Sequence, residues 1–245
     1  MAIEVTRMTE ADIDGAIDTI QQAFADDPYS KWIYNDRSKF NPTRNRASLR
    51  LRCNWGMTHG LFHVAKDPSS STPHRVLGTA MWLPPHPPSE PQSWPLYLST
   101  WTLWLNQIFM NLTYGRGGLN VKRYYIWKAA QAEAQGELWT SERGYYFCNI
   151  VTVLPEAQGR GVGRALMETV LEMADREGRW CYLESSRRVP NVAIYEKFGF
   201  RLVKEMLCDD EGDAIHLYCM MREPRAEQAD EGALQKADPV DVEGA

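Results

Sequence analysis

The chain has 245 residues, 44% hydrophobic and 24% charged, which is the composition of a globular protein with a sizeable core. A formal net charge of −5 gives no support to an overall basic nucleic-acid binder. The charge is also uneven: residues 223–245 hold seven acids against two bases, so residues 1–222 sum to zero.

Apolar and polar residues alternate over 3–8, predicting a short strand. Thr9, with Asp12 three residues on, starts a helix in the manner of a capping box. Ile13, Ala16, Ile17, Ile20 and Phe24 follow at helical spacing until Asp26-Asp27-Pro28 stops the run. Residues 28–40 read as a loop carrying Tyr29, Trp32, Ile33 and Tyr34. A basic helix is expected over 42–59, its arginines 44, 46, 50 and 52 read as a solvated face. Strands are expected over 61–66 and 75–83, on either side of the turn-rich segment 67–73.

Residues 84–140 break this rhythm. A proline cluster at 84–88 precedes a stretch, 91–115, without one charged residue. It carries Trp94, Trp101, Trp104, Leu105 and Phe109, interrupted by Pro95, Asn106, Gln107 and Asn111. Those interruptions favour a buried or partly buried helix over a membrane span, with interfacial membrane contact through the tryptophans left open. A second helix is expected over 122–137.

The longest strand candidate is 145–154, ending at Pro155. A glycine-rich turn at 158–163 follows, then a helix with Ala165, Leu166, Val170, Leu171 and Ala174 on one face. Residues 180–184 read as a strand, and 191–198 as a short helix closed by Gly199. A final antiparallel pair is expected over 200–207 and 214–221 across the polar turn 209–213. The acidic stretch 223–245 reads as a disordered tail outside a single domain of 1–222. The five cysteines are scattered and odd in number, so neither a disulfide framework nor a zinc site is expected. Residues 1–5 lack the pattern of a secretory leader, and a cytoplasmic setting is expected.

The chemistry concentrates at the glycine turn. Gly159, Gly161 and Gly163 remove side chains where a helix opens, exposing backbone N–H groups at the positive end of its dipole. Such a turn binds phosphate, and Arg160 and Arg164 add positive charge. The G-K-[ST] ending of a Walker loop is absent, and the glycines run G-x-G-x-G rather than G-x-G-x-x-G.

Two motifs taken together resemble the GCN5-related N-acetyltransferase (GNAT) superfamily. Gln158-Gly-Arg-Gly-Val-Gly163 is similar to its Q/R-x-x-G-x-G/A signature, and Asn191, Tyr195, Gly199 and Phe200 match its N-x-x-x-x-Y-x-x-x-G-F helix. The resemblance is clear over 145–221, softer over 1–83 and absent over 84–140. It implies an α/β fold: a mixed, mostly antiparallel sheet of about seven strands, with helices on both faces and the insertion over the acceptor side. It implies acetyl-CoA as co-substrate, with the pyrophosphate on the amides of Gly159, Arg160, Gly161, Val162, Gly163 and Arg164 and Gln158 as a further cofactor contact. The pantetheine arm would lie along Ile150, Val151 and Val153, and Asn191 would hold it. A backbone N–H near Val153 would polarise the thioester carbonyl. Tyr195 would protonate the leaving thiolate.

An attacking amine must be neutral, so a general base is expected, and Glu184 at the end of its strand is the first candidate. Asp26 and Asp27 are the second. Asp27, Tyr29, Trp32, Tyr34, Asn149 and Ser185 are read as acceptor-side contacts. A small-molecule amine is the favoured acceptor, with a looser similarity to fungal-type small-molecule acetyltransferases over 174–186. A protein or peptide acetyltransferase and a non-catalytic acyl-CoA sensor stay open. No metal, nucleic acid or membrane span is expected, and nothing in the composition specifies an oligomeric state.

Overall fold

The computed structural model describes residues 3–87, 90–91 and 93–225; the tail expected beyond 225 lies outside the described residues. Seven strands form one sheet in the order β1-β2-β3-β4-β5-β7-β6. They are β1 (Glu4–Arg7), β2 (Leu61–Lys66), β3 (Gly78–Leu83), β4 (Tyr145–Val153), β5 (Trp180–Ser185), β6 (Arg201–Asp210) and β7 (Asp213–Arg222). All neighbours are antiparallel except β4 and β5. The mixed, mostly antiparallel expectation therefore holds.

Helix α6 (Val162–Arg176) covers one face, burying Leu166, Met167 and Val170 against Trp82, Cys148 and Met220. The other face is covered by α1 (Ile13–Ala23), α2 (Pro28–Ile33), α3 (Pro42–His59) and α5 (Val121–Leu138). There Ile17 and Cys53 pack on Phe62 and Met81, and Trp32 and Ala134 pack on Phe147 and Tyr182. Helix α4 (Trp94–Tyr114) lies outside this layer, held to α3 by Gln107–Ser48 and Arg44–Asn111 hydrogen bonds. A short α7 (Asn191–Glu196) follows β5.

Two expectations need correction. Residues 28–40 are not a plain loop, because Pro28 opens α2 rather than only ending α1. Proline is preorganised for the first helical position, and the Asp27 carboxylate caps the helix by accepting from Ser30 N at 3.1 Å. The hairpin turn at 209–213 is tighter than expected, with only Glu211 and Gly212 between paired strands. Both take positive φ (57° and 94°), as a two-residue hairpin turn of the primed type requires. Helix α4 is partly buried, one of the two outcomes expected for it: Met110 is buried, while most of its other large apolar residues are exposed.

The arginines of α3 are also less solvated than expected. Arg46 bonds Asp14 and Asp18 of α1, while Arg44 is buried and donates to Tyr34 Oη and Asn111 Oδ1.

His63 in the middle of β2 is buried beside Arg7, and burial lowers its imidazole to about 4. The unfolded chain then binds a proton near pH 6.5 that the folded chain refuses, so stability falls as pH drops from 6.5 towards 4. Between pH 7 and pH 5 this site should cost about 2 kcal/mol. Urea titrations of wild type and His63→Asn at the two pH values check this, with the pH-dependent part shrinking in the variant.

Candidate functional site

The parallel pair β4–β5 is zipped only at its start. Pairing runs from Tyr145↔Trp180 to Cys148↔Leu183, although β4 continues to Val153 and β5 to Ser185. The separation begins where β4 carries a bulge: Trp82 pairs with Cys148 and Met81 with Ile150, leaving Asn149 as the extra residue. A bulge bends its strand and increases twist, so β4 turns away from β5 at that point.

A cleft of about 1070 Å³ opens at this split. Gln22, Phe24 and Asp27 line it, with Val151 and Val153 of β4 and Ile194 of α7. Gln158, Gly159, Gly161, Val162, Gly163 and Arg164 line it too, as do Asn191 and Tyr195. The sequence therefore assigned most of its expected donor contacts to residues that share one cavity.

The glycine turn has the geometry for an anion. Gly159 and Gly161 adopt φ of 72° and 84°, in the left-handed region that favours glycine. A Cβ on either would meet nothing within 4 Å, so both face open space in the cleft. Gly161 is the N-cap of α6 and supplies no side-chain acceptor to the first-turn amides. These donors sit at the positive end of a 15-residue helix. A pyrophosphate-bearing group fits these residues.

Two expected donor contacts stand beside the cleft rather than in its wall. Ile150 packs against the α1–α3 core, and Arg160 lies 3.6 Å from the buried Asp67 carboxylate.

Helix α7 is held from both ends. Asn191 Nδ2 donates to Ser185 Oγ at 3.0 Å, joining the helix start to the end of β5. Beyond its other end, Arg222 Nε donates to Phe198 O at 2.8 Å. The same guanidinium forms a bidentate pair with Asp175 of α6, at 2.7 and 2.6 Å. Tyr195 is half-buried between these anchors, its ring edge-on to Phe200. Burial raises its phenol, so it stays protonated at neutral pH.

Glu184 lies outside the cleft lining, on the α5 side of the sheet. Its carboxylate accepts from Gln131 Nε2 at 2.8 Å, Tyr182 Oη at 2.9 Å and Gln135 Nε2 at 3.4 Å. Burial raises its pKa; those three donors and the Lys128 charge act against the rise. Asp27 is buried, capping α2 and accepting from Ser186 Oγ.

The aromatic residues read as acceptor contacts divide. Trp32 is sealed in the core, its indole N–H on Asp213 O at 2.8 Å and its ring under the Arg123 guanidinium. Tyr34 accepts from Arg44 and packs on Phe40. Tyr29 is half-buried with its ring 5.1 Å from Trp127, and burial raises its phenol. Asn149 is exposed at the bulge, while Ser185 is buried under Asn191.

Sequence reasoning missed the partners of Glu184. Gln131 and Gln135 are four apart, hence on one helix face, but nothing local says which strand that face meets. The Ser186–Asp27 bond spans 159 positions and had no local signal at all.

Residues 122–202 match the family model for an acetyltransferase (GNAT) domain. An uncharacterised N-acetyltransferase of Schizosaccharomyces pombe is 38% identical over 88 residues, which is 36% of this chain and 35% of the relative. The match thus spans about a third of that protein's length. A second uncharacterised N-acetyltransferase of the same yeast is 25% identical over 222 residues, covering 87% of this chain and 89% of the relative. Among solved structures, a protein of Corynebacterium glutamicum described as histone acetyltransferase HPA2 and related acetyltransferase superposes with TM-score 0.59 at 20% identity. That match covers 93% of this chain and 99% of the other. Arylalkylamine N-acetyltransferase 2 of Aedes aegypti superposes with TM-score 0.57 at 13% identity, covering 92% and 100%. At these identities the structural likeness concerns the fold.

Proposed function

We propose, for a chain that belongs to the GNAT superfamily and carries its acetyltransferase domain, that the cleft binds acetyl-CoA and that the acetyl group passes to a primary amine of a small molecule. The observation that supports this most is the pair of left-handed glycines facing open space at the uncapped start of α6, beside the half-zipped strands.

In this reading the amides of 159–164 receive the pyrophosphate, the free edge of β4 over Val151–Val153 takes the extended arm, and Asn191 orients it. The bound donor supplies an acyl group activated as a thioester. Tyr195, kept protonated by burial, gives its proton to the departing sulfur. Burial raises the thiols of all five cysteines, which makes each a poor nucleophile and favours direct attack by the amine. The buried free thiols suit a reducing, cytoplasmic setting.

Glu184 is assigned as the base that removes the amine proton, directly or through water. It must be ionised to act, so kcat/KM should fall as pH drops through its raised pKa. Glu184→Gln should lower kcat/KM by about 100-fold or more and abolish that limb of the profile. If the variant loses rate with the limb unchanged, Glu184 only ties α5 to β5.

A small acceptor is favoured by the cover on that side, where α2 and α5 bring Tyr29, Tyr124 and Trp127 together. The test is acetyl-CoA-dependent thiol release against arylamines, polyamines, amino acids and peptides. Release with one class of small amine is the expected result. Release only with peptides would move the acceptor to a polypeptide, and donor binding without release would favour a sensor.

A further inference from the structure

The outward face of α4 repeats every seven residues. Leu98, Leu105 and Leu112 form one row, and Trp94, Trp101 and Ile108 form a second, set four and three residues apart from the first. This is the a/d pattern of a helix that packs against another helix. Tyr97 and Trp104 flank the seam on one side and Phe109 on the other. Among the described residues no other helix covers the seam: Trp94 and Leu112 are each 76% exposed, and Leu98, Trp101, Trp104, Leu105 and Phe109 are exposed with them. The opposite side of α4 is already spent: Gln107 and Asn111 bond α3, and Met110 is buried.

We propose that this face is a two-fold interface with a second copy of the same chain, formed by α4 packing on its counterpart. Three observations select this occupant. A heptad seam is shaped for a helix rather than for a strand or a flat surface. The segment 91–115 has no charged residue, so two copies meet without repulsion at the flanking positions, and it lacks the basic polar face typical of helices that lie on anionic membranes. Eight exposed large apolar side chains on this face of α4 present roughly 800 Å², taking about half of the 150–250 Å² typical of such residues. That exceeds the largest apolar patch of an ordinary monomer and reaches the ~800 Å² that each partner of a standard interface contributes. Because the same patch serves both copies, the contact is isologous and closes at two.

Sedimentation velocity of the full chain from about 1 to about 100 µM is the test. A species of twice 28.1 kDa is expected in wild type. The double variant Leu98→Glu/Leu105→Glu should be monomeric, with its dissociation constant raised at least about 100-fold. Both positions are exposed, so its circular dichroism should match wild type. Hydrogen exchange on wild type gives a second readout, with protection of 98–112 rising with concentration. A wild type monomeric at the highest concentration overturns the proposal, and so does a double variant that stays dimeric. A monomer that floats with phosphatidylcholine vesicles would assign the face to a lipid surface and overturn it equally.

Discussion

Gly161→Glu is expected to weaken acetyl-CoA binding by at least about 100-fold, measured by calorimetry, in a protein that still folds. Gly161 holds φ at 84°, where a side chain costs roughly 1–2 kcal/mol. That is a modest fraction of a typical folding free energy. Among the described residues, nothing beyond Gly161's own chain neighbours lies within 4 Å of the new Cβ, so the added carboxylate stands in the cleft without displacing the core. There it competes with a bound phosphate for the first-turn amides and repels it. Gly161→Ala carries the same backbone cost without the charge, and its affinity should fall much less. Unchanged affinity in the glutamate variant would remove the glycine turn from the donor site.

Tyr195→Phe is expected to lower kcat by about 100-fold or more while leaving the KM for acetyl-CoA within about twofold. The ring's packing against Phe200 survives the change, so the loss isolates the hydroxyl. Burial raises the phenol well above neutrality, and the wild-type rate should therefore show no alkaline limb from this group up to pH 9. A variant with wild-type kcat would show that another group protonates the leaving thiolate. A Tyr195→Leu change is less informative, since it also removes an aromatic contact in the core.

Most strands and the long helices were legible in the sequence because their signals are local. Asn41 and Pro42 before α3, and Gly60 after it, announce that helix at both ends. The glycine-turn side of the candidate cleft was legible for the same reason: Gln158–Arg164 and Asn191–Tyr195 are contiguous, and their shared place in one cavity follows from local signals. The acceptor side was not. Trp32 reads as a pocket aromatic until the fold sets its N–H on Asp213, 181 positions away. The bulge at Asn149 depends on the register of β3 against β4, which no single strand encodes. Helix α4 was legible in its apolar content and partial burial, but not in which side would stay open, since that depends on where α3 packs.

The short β4–β5 seam has a mechanical consequence. Four residue pairs join the strands that precede the cleft to those that follow it, and the backbones then diverge. The sheet is thus two plates hinged along a brief weld, with an open slot between them. An extended ligand arm hydrogen-bonded in that slot would act as a rivet across both plates. Occupancy should then stiffen the whole sheet, so that ligand affinity and resistance to unfolding rise and fall together.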